Sequence, residues 1–191
     1  MSKMLKARYE DRGLVVQILS RSFDDNKSVN YIVRQDSRRA QRLVRLMEYS
    51  FDYCQLFGEV YLSEDRQGCA LMVLPGQKKT TVRSVLLDLK LIFLCVGLSN
   101  VRKVLKREAA IKKFHPAGSM YYLWFIGVLP EAHHSGIGSG LLREIIRCKE
   151  GSLPIYLETS VEKNLPWYEK FGFKVYGELD LGYRLLFLRR E

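Results

Sequence analysis

The sequence is poor in the residues that build metal and disulfide sites. It has three histidines in 191 residues, His115, His133 and His134. They show no i,i+4 pair, so no metal site is expected. Four cysteines, Cys54, Cys69, Cys95 and Cys148, lack C-x-x-C spacing and sit among apolar neighbours, which predicts buried free thiols. Only five prolines occur, and no repeat, low-complexity tract or Pro/Ser-rich linker divides the chain, so residues 1–191 are expected to form one domain. Long apolar runs are missing too. The most apolar stretch, residues 85–98, is interrupted by Asp88 and Lys90 and is too short to span a bilayer. The start, Met1-Ser-Lys-Met-Leu-Lys, has no apolar segment behind its basic residues, so no secretory signal is expected. These absences lead to a cytoplasmic chain without a membrane partner.

What is present fits a globular protein: 47% hydrophobic and 27% charged residues. The formal net charge of +10 asks for an anionic partner. A phosphate-bearing cofactor, a nucleic acid, an anionic membrane surface or an acidic acceptor would each serve, and charge alone does not choose.

Periodicity gives the elements. Residues 5–9 read as a strand, 11–22 as a helix, and a second helix capped by Asp36 or Ser37 carries the stripe Leu43, Met47, Phe51 and Cys54. Strands at 58–62 and 68–74 flank a Glu64–Gln67 turn. Residues 80–113 read as two helices broken near 97–100, the first apolar on nearly every side, the second amphipathic and basic. Then come a strand (120–129), a helix (136–149), a strand (154–158), a short helix (164–171) and two closing strands (174–178, 183–188). Strand–helix–strand implies a parallel pair and the last two strands an antiparallel hairpin, so a mixed α/β sheet is expected. Arg38, Arg42 and Arg45 form a basic ridge that reads best as a solvated helix face.

The informative stretch is Leu129-Pro-Glu-Ala-His-His-Ser-Gly-Ile-Gly-Ser-Gly-Leu-Leu142. Glycines 136, 138 and 140 fall where a strand's exit loop becomes a helix, so backbone N–H groups and the helix dipole can meet a phosphate. A tight turn with no ligand explains the glycines about equally well. A P-loop requires Gly-Lys-Ser/Thr where Gly140-Leu-Leu stands, and a dinucleotide fingerprint requires a third glycine where Leu141 stands. An S-adenosylmethionine-dependent methyltransferase turn fits the glycines, with Glu158 placed to hold a ribose. Too little chain follows Glu158 for that fold, however, and residues 130–135 separate the strand from the glycines.

These residues resemble the GNAT superfamily of N-acetyltransferases. The cofactor signature appears as Val128-Leu129-Pro130 followed by His133-His134-Ser135-Gly136-Ile137-Gly138. A second signature appears as Asn164 ahead of Tyr168-Glu-Lys-Phe-Gly172-Phe173. The match is close from Tyr121 to Phe173, and His133 departs from the usual Gln or Arg. The resemblance implies one GNAT-like domain with a central, mostly antiparallel sheet flanked by helices. Two central parallel strands would splay, residues 119–178 would form the cofactor core, and residues 80–116 would be a helical insertion.

It also implies acetyl-CoA as cosubstrate, transferred directly to a primary amine. Pantetheine would pair with the backbone of Phe125, Ile126, Gly127 and Val128. His133, His134, Ser135, Gly136, Ile137, Gly138 and Ser139 would cradle the pyrophosphate, and Asn164 would bond the pantetheine or a water near it. A backbone N–H near Ile126–Val128 would meet the developing oxyanion. Tyr168 is the expected general acid, although a core aromatic is the likelier reading of its spacing alone. Glu158 is the candidate general base, weighed equally against a carboxylate paired with a nearby Lys or Arg. Tyr121 and Tyr122 are candidates to line the acceptor site. The acceptor is expected to be a small molecule rather than a protein, the insertion a wall of its pocket or a homodimer surface. A non-catalytic, basic nucleic-acid-binding module is the remaining alternative, but no nucleic-acid motif is present.

Overall fold

Glycine-bounded strands and helices with an apolar stripe assemble into one open sheet covered on both faces. The computed structural model describes residues 4–191; Met1–Lys3, part of the segment expected to lack a signal, lie outside the described residues. The strands are β1 (Met4–Lys6), β2 (Gly58–Ser63), β3 (Gly68–Val73), β4 (Tyr121–Val128), β5 (Ile155–Thr159), β6 (Lys174–Asp180) and β7 (Arg184–Arg190). They lie in the order β1-β2-β3-β4-β5-β7-β6. Every neighbouring pair is antiparallel except β4 and β5, which are parallel. The mixed, mostly antiparallel sheet and the closing hairpin are as expected.

Helices α1 (Arg12–Ser22), α2 (Lys27–Ile32) and α3 (Arg39–Phe57) lie on one face. The core there includes Ile18, Leu19, Met47 and Phe51, all fully buried, each stabilising by about 1.5–3 kcal/mol. Helices α6 (Ile137–Lys149) and α7 (Leu165–Lys170) cover the other face through Leu142, Ile145 and Tyr168. Between β3 and β4 lie α4 (Val82–Leu91), a π-helical turn (Ile92–Val96) and α5 (Val101–Lys112). Ile111 of α5 joins Tyr183, Leu185 and Phe187 in a third small cluster, where Phe114 stacks on Phe187 at 4.2 Å. Among the described residues no single helix is long and apolar enough to cross a membrane.

Four details differ from the sequence reading. The first strand ends at Lys6, and Tyr9–Asp11 is a 3-10 turn because the Asp11 carboxylate accepts the Arg8 N–H at 2.8 Å. The short helix α2 is additional, capped by Asn26 Oδ1 accepting from Val29 N–H at 3.0 Å. Cys54, Cys69 and Cys95 are buried, but Cys148 is exposed, since burial fades along the last turn of α6 after Ile145. The arginine ridge is broken up by ion pairs, Arg42 to Asp36 and Arg45 to Glu48.

Candidate active site

The pairing of β4 with β5 is short. It joins Tyr121, Tyr122 and Leu123 to Ile155, Tyr156 and Leu157 and then stops, although β4 continues to Val128. The cause lies on the other side of β4. Against β3, Leu71 faces Phe125 and Met72 faces Leu123, which leaves Trp124 as an extra residue. Such a bulge bends its strand and sharpens its twist. It also breaks the alternation of side chains. Leu123 packs with α6 and α7, whereas Phe125 packs with α1 and α3, where its ring meets Phe23 edge-on at 5.0 Å. Beyond the bulge, the backbone of Phe125, Ile126, Gly127 and Val128 keeps its β3 partners and has no strand partner toward β5. Backbone groups in that position need a ligand or water.

Gly127 is glycine for packing reasons, because a Cβ there would come within 3.1 Å of Ser22 and 3.2 Å of Phe23. The Val128 carbonyl already accepts from Ser22 Oγ at 2.7 Å and contacts His133 Nε2 at 3.1 Å. His133 therefore folds back onto the end of β4 while staying exposed.

The turn that follows presents backbone to solvent. His134 and Gly136 have φ of +64° and +85°, and residues 133–136 are all exposed. Gly136 is the N-cap of α6 without a side-chain cap; the first helical bond runs from Gly140 N–H to the Gly136 carbonyl. The N–H groups of Ile137, Gly138 and Ser139 are thus the helix's free donors. At Gly138 a Cβ would meet no protein atom nearer than 3.6 Å, and at Gly136 none within 4 Å. Protein packing does not demand glycine at 138, and the bare backbone there is open to close approach by a ligand. Ser139 Oγ accepts from Trp167 Nε1 at 2.9 Å, tying α6 to α7. Beside that bond lies a depression of about 650 Å3 whose lining includes Ser139, Arg143, Trp167 and Lys170. The donor set fits a diphosphate at the turn, and the cationic depression fits a further phosphate beyond it.

Tyr168 is buried in the second core cluster, its ring 4.7 Å from Trp167 and 5.9 Å from Phe173. Burial alone pushes its phenol above the usual range, so it holds its proton. Asn164 ends the turn before α7 and is partly exposed.

Glu158, on β5 just past the last parallel pair, has its side chain 8% exposed. Tyr122 donates to Oε1 at 2.9 Å, Arg107 Nη2 lies 3.9 Å from Oε2, and His115 Nε2 lies 3.5 Å from Oε1. That His115 nitrogen is buried without a hydrogen bond. Arg107 is held in turn by Tyr183 and Ser28. Burial works against its charge, but Glu108, Tyr183 and Glu158 outweigh it and keep the guanidinium protonated. Burial, reinforced by Glu158, also drives the Tyr122 phenol well up. Arg107 and His115 were not singled out as site residues from the sequence. Their signal was positional: both lie in the segment that leads into β4, and Tyr122 pairs with Tyr156, two residues before Glu158 on β5.

Residues 95–175, from the end of the π-helical turn through α5 to the start of β6, match the acetyltransferase (GNAT) domain. Three solved structures share the whole fold. One is the histone acetyltransferase HPA2 and related acetyltransferase of Corynebacterium glutamicum, with TM-score 0.72, 22% identity, and coverage of 98% of this chain and 94% of that one. Another is an N-acetyltransferase from Staphylococcus aureus, with TM-score 0.61, 17% identity, and coverage of 98% and 100%. A third is an Arabidopsis thaliana protein in complex with the bisubstrate analogue CoA-Ac-MVNAL, with TM-score 0.51, 13% identity, and coverage of 100% and 98%. The fold is that of the N-acetyltransferases. Residues 95–175 match the acetyltransferase (GNAT) domain, and the chain as a whole shares the fold of the acetyltransferases named above.

Proposed function

We propose that the protein transfers an acetyl group from acetyl-CoA directly to a primary amine within a ternary complex. The observation that carries this reading is the loss of β4–β5 pairing after Leu123 and Leu157, with the open glycine turn at the exit of the same strand. The free backbone of Phe125–Gly127 suits an extended amide-bearing chain, and the donors at residues 136–139 suit a pyrophosphate. Bound there, acetyl-CoA supplies the activated acetyl thioester.

Direct transfer is supported by where the cysteines lie. Three are buried, and burial pushes the Cys95 thiol up to about 12. Cys148 stands at the far end of α6, about 16 Å along the helix from Ile137 at 1.5 Å per residue. No cysteine is placed to carry an acyl group at the split.

Tyr168, kept protonated by burial, acts as the general acid toward the departing sulfur. Asn164 bonds the pantetheine arm. The acceptor must lose a proton, since an alkyl ammonium has a pKa of about 10. Glu158 accepts a hydrogen bond from Tyr122 and faces Arg107, so its oxygens are already engaged. His115, with a free buried nitrogen beside that carboxylate, takes the proton, and Glu158 stabilises the resulting imidazolium. The partly buried rings of Tyr49 and Trp124, packed with each other and with the buried Tyr53 at 5.7–6.3 Å, favour a small-molecule amine over a protein. A methyltransferase is disfavoured by the sheet, which has one parallel pair instead of a doubly wound parallel core.

The test is thiol release from acetyl-CoA across a panel of small amines. Amine-dependent release supports the reading; consumption of S-adenosylmethionine with inert acetyl-CoA contradicts it.

A further inference from the structure

The helix α4 is apolar on the side that nothing covers. Its inner face, Ser84, Leu87 and Leu91, continued by Cys95 of the π-helical turn at helical spacing, turns toward the protein, with Ser84 and Cys95 buried and Asp88 bonded to Tyr49. Its outer face holds Val82, Val85, Leu86, Leu89 and Phe93, spaced i, i+3, i+4, i+7 and i+11 and 44–80% exposed. Leu94 and Leu98 continue the apolar surface around the bend, and Leu105 adds to it on α5. An exposed apolar helix face of this kind on a folded protein marks an interaction site.

The charge around it is equally one-sided. Between Lys78 and Lys113 ten basic residues stand against Asp88 and Glu108, a net +8 out of the chain's +10. Arg83 and Lys90 border the apolar stripe on the same flank of α4. On α5, Arg102, Lys103 and Lys106 line a depression of about 460 Å3 with Ser99 and Tyr31.

We propose that residues 78–113 dock the protein on an anionic lipid surface. In this arrangement α4 lies flat in the interface, with Val82, Leu86, Leu89 and Phe93 entering the acyl boundary. Arg83, Lys90 and the α5 cations meet the headgroups. Each element fits that occupant better than the alternatives. A symmetric contact with a second copy would set two net +8 segments against each other, which like-charge repulsion disfavours. A nucleic acid would satisfy the cations and leave the apolar face in water. The first arm does not span by itself: fifteen residues from Val82 to Val96 reach about 22 Å, short of the ~30 Å hydrocarbon core, before the chain bends by 101°. The docking surface departs from the expectation of no membrane partner, which rested on the lack of a spanning segment.

The experiment is flotation of the full chain with phosphatidylcholine vesicles, plain or containing about 30% phosphatidylserine. The parent is expected to float with the anionic vesicles and stay behind with the neutral ones. Leu89→Ser with Phe93→Ser should abolish flotation. Arg83→Glu with Lys90→Glu should weaken it about tenfold or more, at roughly 1 kcal/mol per basic residue removed before reversal adds to it. All four side chains are exposed, so the melting temperature and acetyl-CoA binding of both variants should match the parent, which separates this claim from the acetyl-transfer reading. Equal partitioning of the parent with both vesicle types, with none floating, would overturn the proposal. So would a concentration-dependent dimer lost in Leu89→Ser/Phe93→Ser, or binding to an acidic polypeptide without binding to vesicles.

Discussion

Leu123 and Phe125 stand two residues apart on one strand and are buried on opposite faces of the sheet. In a regular strand they would share a face. Trp124, unpaired against β3, separates them and turns β4 away from β5, so one inserted residue both reverses the side chains and opens the split. The account predicts that each is costly to remove. Leu123→Ala should lose about 2–5 kcal/mol and Phe125→Ala about 3–5 kcal/mol in urea denaturation. A cost below about 1 kcal/mol for either would mean that one of them faces solvent and the bulge is misplaced.

Gly136 adopts φ +85° at the N-cap of α6 with open space where a Cβ would go. Gly136→Ala therefore meets no steric contact and fails on backbone strain, costing about 1–2 kcal/mol. Thermal unfolding measures it. An unchanged melting temperature would show that the turn relaxes to negative φ without loss.

Tyr168→Phe removes a proton donor and leaves the ring packing in place. With acetyl-CoA binding retained, kcat should fall by about 10²-fold or more. Because burial raises the phenol, the parent should show no alkaline loss of rate attributable to Tyr168 below about pH 10. A kcat within twofold of the parent would reduce Tyr168 to a core aromatic.

His115→Gln and Glu158→Gln should each lower kcat, by about 10²-fold or more for the group that takes the proton, while leaving acetyl-CoA affinity alone. A kcat within twofold of the parent in both variants would assign proton uptake elsewhere.

Asp11 has its carboxyl held below the usual value by the Arg8 N–H and then by Arg66. A depressed folded pKa stabilises the fold above the unfolded value, near 3.8, and that stability drains as pH falls through the folded pKa. Asp11→Asn should therefore destabilise the protein at pH 7 and close the gap to the parent in acid, below about pH 4. A difference that is constant with pH would argue that the ion pair to Arg66 contributes nothing.

Much of this was legible in the sequence, for physical reasons that differ by element. The glycine turn was visible because only glycine tolerates the φ at 136 and only a missing side chain leaves the approach at 138. The parallel pair followed from a strand, a helix and a strand in succession. The bulge was not legible, since Trp124 looks like any other strand aromatic until its β3 partners are known. The Glu158 cluster was half legible: the carboxylate could be named, but Arg107 and His115 reach it only through the packing of α5 against the closing hairpin. The apolar character of α4 was plain, whereas which side remained uncovered depended on how α3 receives it.

The most direct test of the central claim is calorimetric titration of acetyl-CoA into the parent and into Gly138→Glu. The split and the open turn predict micromolar binding to the parent and none to the variant, in which a carboxylate occupies the cradle and opposes the pyrophosphate, with the melting temperature kept. No binding to the parent, or equal binding to both proteins, would contradict the assignment of the glycine turn and with it the acetyl-CoA site.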